Sequence, residues 1–136
     1  MVKITGDYRG ELHCEATHGP SAKTLETDAP VDNQGRGETF SPTDLVATAL
    51  GTCILTTMGI AARRLGVDLT GARFEVVKEM STDLPRRIAR LATQLWLPRP
   101  HSADAAASLE RIAHACPVHQ SLSPSVDVPI VVHWTE

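Results

Sequence analysis

The chain has 136 residues, of which 42% are hydrophobic and 21% are charged, and this mixture excludes a disordered or collagen-like chain. Thirteen Lys and Arg against sixteen Asp and Glu give a net charge of −3, so we expect no basic surface for nucleic acid. Aromatic residues make up only 4%, which also argues against a base-stacking platform. We therefore expect a single domain over residues 1–136 with a core of Leu, Val, Ile and Ala.

The first part of the chain is predicted to form strands. Residues 2–18 alternate loosely around Arg9-Gly10, which is typical of two strands and a turn, and residues 23–29 favour a third strand. The polar, glycine-containing segment 30–40 is predicted to be a loop of the kind that often carries function. The N-terminal residues lack the apolar run of a secretory signal, so we expect a cytoplasmic protein.

A long helix is predicted from Pro42 to about Leu65. Ser41 is suited to the N-cap and Asp44 to the capping-box position, whereas Gly66 is suited to the C-terminal end. The helix is apolar on nearly all sides, so it should be buried, partly by a second chain. Because threonine and glycine interrupt its apolar residues, we interpret it as a core helix and expect no membrane span.

The rest of the chain is predicted to contain two paired strands, a helix, a short helical turn and a last strand, over residues 70–80, 87–97, 102–115, 117–122 and 126–134. Ser102 is suited to cap the helix, and Pro129 suggests that the last strand lies at a sheet edge. Strands and helices are segregated along the chain instead of alternating strictly, which indicates the α+β class.

Three cysteines are candidates for chemistry. An odd number in a chain without an export signal favours free cytosolic thiols over a disulfide framework. Cys53 lies in the apolar helix, and Cys116 lies at a helix break before Pro117, where partial exposure is common. A buried thiol and a thiol at a helix break form a candidate attacking and resolving pair, and two inert core cysteines are the alternative.

A reactive Cys53 needs a cation nearby, because burial alone favours the uncharged thiol. An Arg, Lys or His from elsewhere in the fold has to supply the cation. Arg36 is one candidate, since the glycines on both sides of it let the backbone turn its side chain inward, and a solvated loop arginine is the alternative. Acyl transfer by Cys53 with a histidine base has no supporting local signature.

Two groups of histidine and cysteine residues suggest metal ligands at first sight: His114, Cys116 and His119, and His13, Cys14 and His18. Neither contains the paired Cys-x-x-Cys spacing of a zinc site, and Pro117 bends the chain between members of the first group. We therefore expect no metal.

Two motifs resemble a known family. Residues 40–53 (FSPTDLVATALGTC) resemble the central helix of the OsmC-like proteins, which include the organic hydroperoxide resistance proteins, and residues 115–122 (ACPVHQSL) resemble their second cysteine motif. The resemblance implies an α+β fold in an intertwined homodimer, with a long central helix packed against antiparallel sheet.

The same resemblance implies a thiol peroxidase that needs no cofactor. Cys53 matches the peroxidatic cysteine, Cys116 matches the resolving cysteine that forms a disulfide with it, and Arg36 matches the arginine that holds the thiolate. The implied substrate is an organic hydroperoxide, and the implied reductant is a dithiol, such as one of the lipoyl type.

One position departs from the family pattern. The well-characterised peroxidases carry a glutamate ten residues before the peroxidatic cysteine, and Thr43 occupies that position here. Asp44, nine residues before Cys53, points to the opposite helix face, so we interpret it as a helix cap. Glu38 is a substitute partner for Arg36.

Two other functions stay open. Because of the departure at Thr43, the chain could bind a small hydrophobic molecule in the dimer cleft without catalysis. It could also act as a thiol redox sensor that reports oxidation to a partner.

Overall fold

Six strands and three helices follow one another along the chain, and the computed structural model describes all of residues 1–136. They are β1 (Ile4–Gly10), β2 (His13–His18), β3 (Thr24–Asp28), α1 (Pro42–Arg64), β4 (Arg73–Met80), β5 (Ile88–Pro98), α2 (Ala103–Ala113), α3 (Pro117–Ser121) and β6 (Ile130–Thr135). The predicted α+β class is confirmed. Two compact units, residues 1–46 and 47–136, are described in turn, and the single-domain assignment stays a prediction.

The first unit contains an antiparallel sheet in the order β1-β2-β3. The predicted turn at Arg9-Gly10 is displaced toward the C-terminus, because β1 continues to Gly10. Glu11 and Leu12 make the turn with φ angles of 54° and 59°. Across β2 and β3, His13 is paired directly with Asp28, so their side chains share one face of the sheet.

The loop from residue 29 to residue 40 joins β3 to α1 and contains one 3₁₀ turn at Val31–Asn33. Its end leads into the predicted capping box, which is present. The Ser41 hydroxyl accepts the N–H of Asp44 at 3.1 Å, and the Asp44 carboxylate accepts the N–H of Ser41 at 2.9 Å. These reciprocal bonds explain why α1 begins at Pro42.

The second unit contains a sheet in the order β4-β5-β6, in which β4 and β5 are antiparallel and β6 runs parallel to β5. The edge position predicted for the last strand is confirmed. The central strand β5 buries alternate residues, as expected for a strand with one face against the core. Its buried residues are Leu91, Thr93, Leu95 and Leu97, and α2 adds Leu109 and Ala113 to the core.

Three boundaries in this unit differ from the prediction by two residues or more, and the first is the start of β4, which lies at Arg73 instead of residue 70. The helix α2 ends at Ala113, two residues early, because the N–H of Ala115 bonds to Ile112 in a tightened last turn. The last strand begins at Ile130, although Asp127 and Pro129 already accept N–H groups of β5.

The long helix α1 is buried on one face only. Its buried residues are Ala47, Leu50, Gly51, Ile54, Met58 and Ala62, whereas Ile60 is 54% exposed. The helix α1 is long and apolar enough to cross a membrane, but the core helices of other proteins have the same length and composition. Within the chain, 33% of its most apolar stretch is buried. One chain therefore does not provide the burial on nearly all sides that the sequence predicts.

Candidate active site

Cys53 lies half-buried in the middle of α1. It is adjacent in sequence to the fully buried Ile54 and one turn after the fully buried Leu50. Its Sγ lies 4.0 Å from the Thr57 hydroxyl, one turn further along the helix. The thiol is therefore at the border of the buried face, with a polar neighbour beside an apolar core.

Cys116 is the N-cap residue of α3, and Pro117 follows it at the first helical position. Its Sγ accepts the N–H of His119 at 3.3 Å. The side chain is fully buried, which differs from the partial exposure expected at a helix break. The thiol therefore caps α3 from a buried position, unlike the Ser102 hydroxyl that caps α2 at the surface.

The environment of Cys116 raises the pKa of its thiol. Burial is the main cause, and the Cys53 thiol adds to the increase through a hydrogen bond and its charge, against the opposing bond from His119. Within the second unit, the two thiols therefore lie close enough for Cys53 to influence the pKa of Cys116. Both are free, as is the exposed Cys14.

Arg36 lies in the first unit, on the loop before α1. Its Nη2 is 3.8 Å from the Glu11 carboxylate, and its side chain is 52% exposed. Glu38 lines the same pocket as Arg36, and the ion pair of Arg36 that the structure contains is with Glu11. Sequence reasoning missed Glu11, because it lies in the β1–β2 turn, 25 residues before Arg36.

The two glycines beside Arg36 are expected from the sequence to make the loop flexible, but the structure requires them for a fixed backbone conformation. A Cβ at Gly35 would overlap the backbone carbonyl of Ala29, and Gly37 has a φ of +63°. Close packing and a left-handed backbone therefore require these glycines, so the loop around Arg36 has a defined course.

The other two candidates lie at the start of α1. The Thr43 hydroxyl is 3.2 Å from the Ser41 hydroxyl, and Asp44 forms the capping box described above. Both side chains thus take part in the polar network at the helix N-terminus.

Nothing in the arrangement of His, Cys, Asp and Glu side chains forms a group of three or more that could hold a metal ion. In the first candidate group the N–H of His119 is a hydrogen-bond donor to Cys116, and its buried Nδ1 has no hydrogen-bond partner within the chain. In the second group, His13 Nδ1 is bonded to Asp28 at 2.6 Å.

Sequence reasoning missed the role of His13 and Asp28 as a pair. Asp28 is only 3% exposed, yet its carboxylate carries two bonds: Oδ1 to His13 and Oδ2 to the N–H of Glu38 at 3.1 Å. A signal was available, since two antiparallel strands joined by a short turn place residues like these opposite each other.

The model of the OsmC-like protein family matches residues 35–131. The chain belongs to the OsmC-like family. The range that matches contains Arg36, Cys53 and Cys116, whereas His13 and Asp28 precede it. A comparison with functionally curated proteins found no match.

Solved structures agree with membership in the OsmC-like family. An osmotic stress and detoxification response protein from Psychrobacter arcticus is 39% identical, with a TM-score of 0.87 over 97% of this chain and 94% of that one. The organic hydroperoxide resistance protein OsmC of Legionella pneumophila is 16% identical, with a TM-score of 0.77 over 97% and 96%. An OsmC-like protein from Mycoplasma pneumoniae is 15% identical, with a TM-score of 0.80 over 100% and 98%. The fold is thus that of the OsmC-like proteins.

Proposed function

We propose that this OsmC-like protein is a cysteine-based thiol peroxidase that reduces organic hydroperoxides. The observation that carries the proposal is the pair of free, neighbouring thiols, Cys53 and Cys116, in one compact unit. Names among the structural relatives support the substrate class, because the Legionella pneumophila protein is an organic hydroperoxide resistance protein.

The proposed reaction has three steps. The Cys53 thiolate attacks the outer oxygen of the hydroperoxide, the O–O bond breaks, and the alkoxide takes up a proton to leave as an alcohol, so Cys53 becomes a sulfenic acid. The Cys116 thiol then displaces the sulfenic hydroxyl as water, and a Cys53–Cys116 disulfide forms. A dithiol, for which we favour one of the lipoyl type, reduces this disulfide by exchange and is itself oxidised to a disulfide.

The environments of the two thiols support this division of roles. Only a thiolate attacks a peroxide efficiently, and burial raises the pKa of Cys116, which keeps it a thiol at neutral pH. Cys116 is therefore unsuited to react first. Cys53 is half-buried, so a substrate can reach it, and the apolar residues around it favour an organic hydroperoxide over hydrogen peroxide.

Arg36 is our proposed partner for the Cys53 thiolate, on the basis of its match to the family arginine. A guanidinium keeps its charge at neutral pH and can donate several hydrogen bonds to a sulfur anion. Glu11 and Glu38 line the pocket that contains Arg36, and either carboxylate can orient the guanidinium in place of the family glutamate that Thr43 replaces.

We further propose that the chain acts as a homodimer in the cytoplasm. The exposed apolar face of α1 supports the dimer, since a helix this apolar is stabilised by a second covered face. Three free cysteines support the cytoplasm, where thiols are kept reduced.

The decisive experiment follows thiol loss after cumene hydroperoxide is added to a Cys14→Ser variant, with Cys53→Ser and Cys116→Ser made in the same background. We expect the background variant to lose both remaining thiols and to form a Cys53–Cys116 disulfide by peptide mapping. In the Cys116→Ser variant a 1,3-dione should trap Cys53 as a sulfenic acid, and in the Cys53→Ser variant Cys116 should stay reduced.

Repeated turnover with a dithiol separates the enzyme from a redox sensor, which would be oxidised once and stay so. Thiols that persist in cumene hydroperoxide would contradict both functions and favour the binding of a small hydrophobic molecule without catalysis.

A further inference from the structure

Asp28 is the point at which the loop carrying Arg36 is fastened to the N-terminal sheet. The Asp28 carboxylate accepts the N–H of Glu38 at 3.1 Å, and its backbone N–H donates to the carbonyl of Phe40 at 3.1 Å. Ala29 continues this attachment, because its N–H donates to Leu12 at 3.0 Å. The C-terminal part of the loop is thus bonded to the end of β3. One of these bonds is made by Glu38, which lies two residues after Arg36.

The carboxylate that makes these bonds is itself held by His13. Asp28 is 3% exposed, and a buried carboxylate is costly unless it is paired and hydrogen-bonded. His13 provides the pairing through the 2.6 Å contact between Nδ1 and Oδ1. Without it, Asp28 would either take up a proton or turn toward water, and in both cases its bond to Glu38 would weaken.

The same histidine faces the pocket that contains Arg36. The pocket has a volume of about 310 Å³, and its charged lining residues are Arg9, Glu11, His13, Glu26, Arg36 and Glu38. His13 Nε2 lies 3.5 Å from the Glu26 carboxylate. Glu26 therefore contacts the histidine but is not a partner in the hydrogen bond between Asp28 and Glu38. The charge of Arg36 also helps to lower the pKa of Asp28, although it contributes less than the hydrogen bond from His13.

We infer that His13 and Asp28 are positioning residues that hold Arg36 in place for the thiol chemistry proposed above. Neither residue touches the reacting sulfur; they act through the 29–40 loop. The inference rests on the proposed role of Arg36, and the experiment below is chosen so that the attachment of the loop and the use of Arg36 are measured separately.

The attachment is measured by limited proteolysis, since trypsin cleaves the bond between Arg36 and Gly37 when the loop opens. We expect Asp28→Asn and His13→Ala to speed this cleavage by about tenfold. His13→Asn keeps a side-chain donor close to the position of Nδ1 and should restore most of the protection. Glu26→Gln is the matched control, because it removes the other carboxylate beside His13, and its cleavage should match the parent.

The use of Arg36 is measured by the rate at which cumene hydroperoxide oxidises Cys53. Asp28→Asn and His13→Ala should slow this reaction by about tenfold, as expected when a catalytic group is misplaced. In an Arg36→Met background the same substitutions should cause no further slowing, because the group they position is gone. General damage to the protein would slow both backgrounds equally.

Unchanged cleavage in both Asp28→Asn and His13→Ala would overturn the inference, as would equal slowing with and without Arg36. Faster cleavage with an unchanged oxidation rate would overturn it too, because the attachment of the loop would then not affect the reaction of Cys53. If Arg36→Met alone leaves the rate unchanged, the positioning role is wrong while the Cys53–Cys116 chemistry stands. Because His13→Ala and Asp28→Asn are independent variants, a failure of one to fold leaves the test intact.

Discussion

His13 and Asp28 shift each other's protonation in opposite directions. The hydrogen bond to Asp28 is the main reason that the pKa of His13 lies above its usual value, and Glu26 adds to the effect. The hydrogen bond from His13 is the main reason that the pKa of Asp28 lies below its usual value. The pair is therefore most favourable when the imidazole is protonated and the carboxylate is ionised.

This pairing predicts how stability depends on pH. The contribution of His13 is fully present below its unfolded-state pKa of about 6.5 and is lost as the pH rises through its higher folded-state value. The contribution of Asp28 is present above its unfolded-state pKa of about 3.9 and is lost as the pH falls through its lower folded-state value. We expect the pair to add most to the free energy of unfolding between about pH 4 and about pH 6.5.

Urea unfolding of the parent and of His13→Asn, measured within that range and at higher pH, checks the prediction. The asparagine can donate to Asp28 but does not titrate, so the difference between the two proteins should shrink as the pH rises above the range. A difference that stays constant from low to high pH would contradict the linkage.

For single residues, the sequence predicts which side chains are candidates for function better than it predicts which side chains are in contact. It identifies Cys53 and Cys116 as a candidate pair and Asp44 as a capping residue, because local motifs carry both signals. It misses His13 and Asp28, and it misses Glu11 beside Arg36, because those contacts depend on strand register and turn geometry. The fully buried state of Cys116 depends on which way α3 folds back, and no local pattern encodes that.

Among the elements, α1 contains a glycine whose role is packing. A Cβ at Gly51 would overlap the ring of Phe74 on β4, so only glycine allows the helix and the strand to approach this closely. Gly51 lies two residues before Cys53, so the part of α1 that carries the thiol approaches β4 closely. Gly59, by contrast, has open space around the position of a Cβ within the chain.

These two glycines give a matched pair of substitutions. Gly51→Ala should lower the free energy of unfolding by about 1–3 kcal/mol, as overpacking usually does. Gly59→Ala should raise it by about 0.5–1 kcal/mol, because alanine loses less entropy in a helix. Chemical denaturation at one protein concentration measures both. Equal effects of the two substitutions would contradict the packing role of Gly51.

The order of the helices and strands agrees with the prediction from the sequence, whereas several of their ends differ from it. Capping signals predict α1 to within a residue or two, whereas the β1–β2 turn and the start of β6 differ from the prediction by two to four residues. Pairing with a neighbouring strand sets those ends: β1 is extended by its bond pattern with β2, and Asp127 already pairs with β5 before β6 begins.

For the whole molecule, the apolar surface of α1 predicts a dimer of twice 14.6 kDa. Obligate interfaces typically bury more than about 2,000 Å², and α1 contributes Ile60, which is 54% exposed in one chain. Ile60→Glu should therefore weaken association by at least about tenfold, since a carboxylate at an apolar interface is not compensated. Sedimentation equilibrium at micromolar concentration measures the mass.

Leu84→Glu is the control for this prediction, because Leu84 is 88% exposed in the connection between β4 and β5. It should leave the mass unchanged. A parent protein that sediments as a stable monomer would contradict the dimer, and equal weakening by both substitutions would contradict the placement of the interface on α1.

Because the Cys116 thiol caps α3, the stability of the first turn of α3 depends on whether Cys116 is reduced or oxidised. In the reduced protein the amide of His119 is held by Cys116 Sγ, whereas the amide of Gln120 is held by the backbone oxygen of Cys116 at 3.1 Å. Sulfur is a weak acceptor, and a sulfur that turns to bond with Cys53 has to leave the His119 amide. Oxidation should therefore speed hydrogen–deuterium exchange at His119 more than at Gln120, so that one amide signal reports whether the cysteine pair has been used.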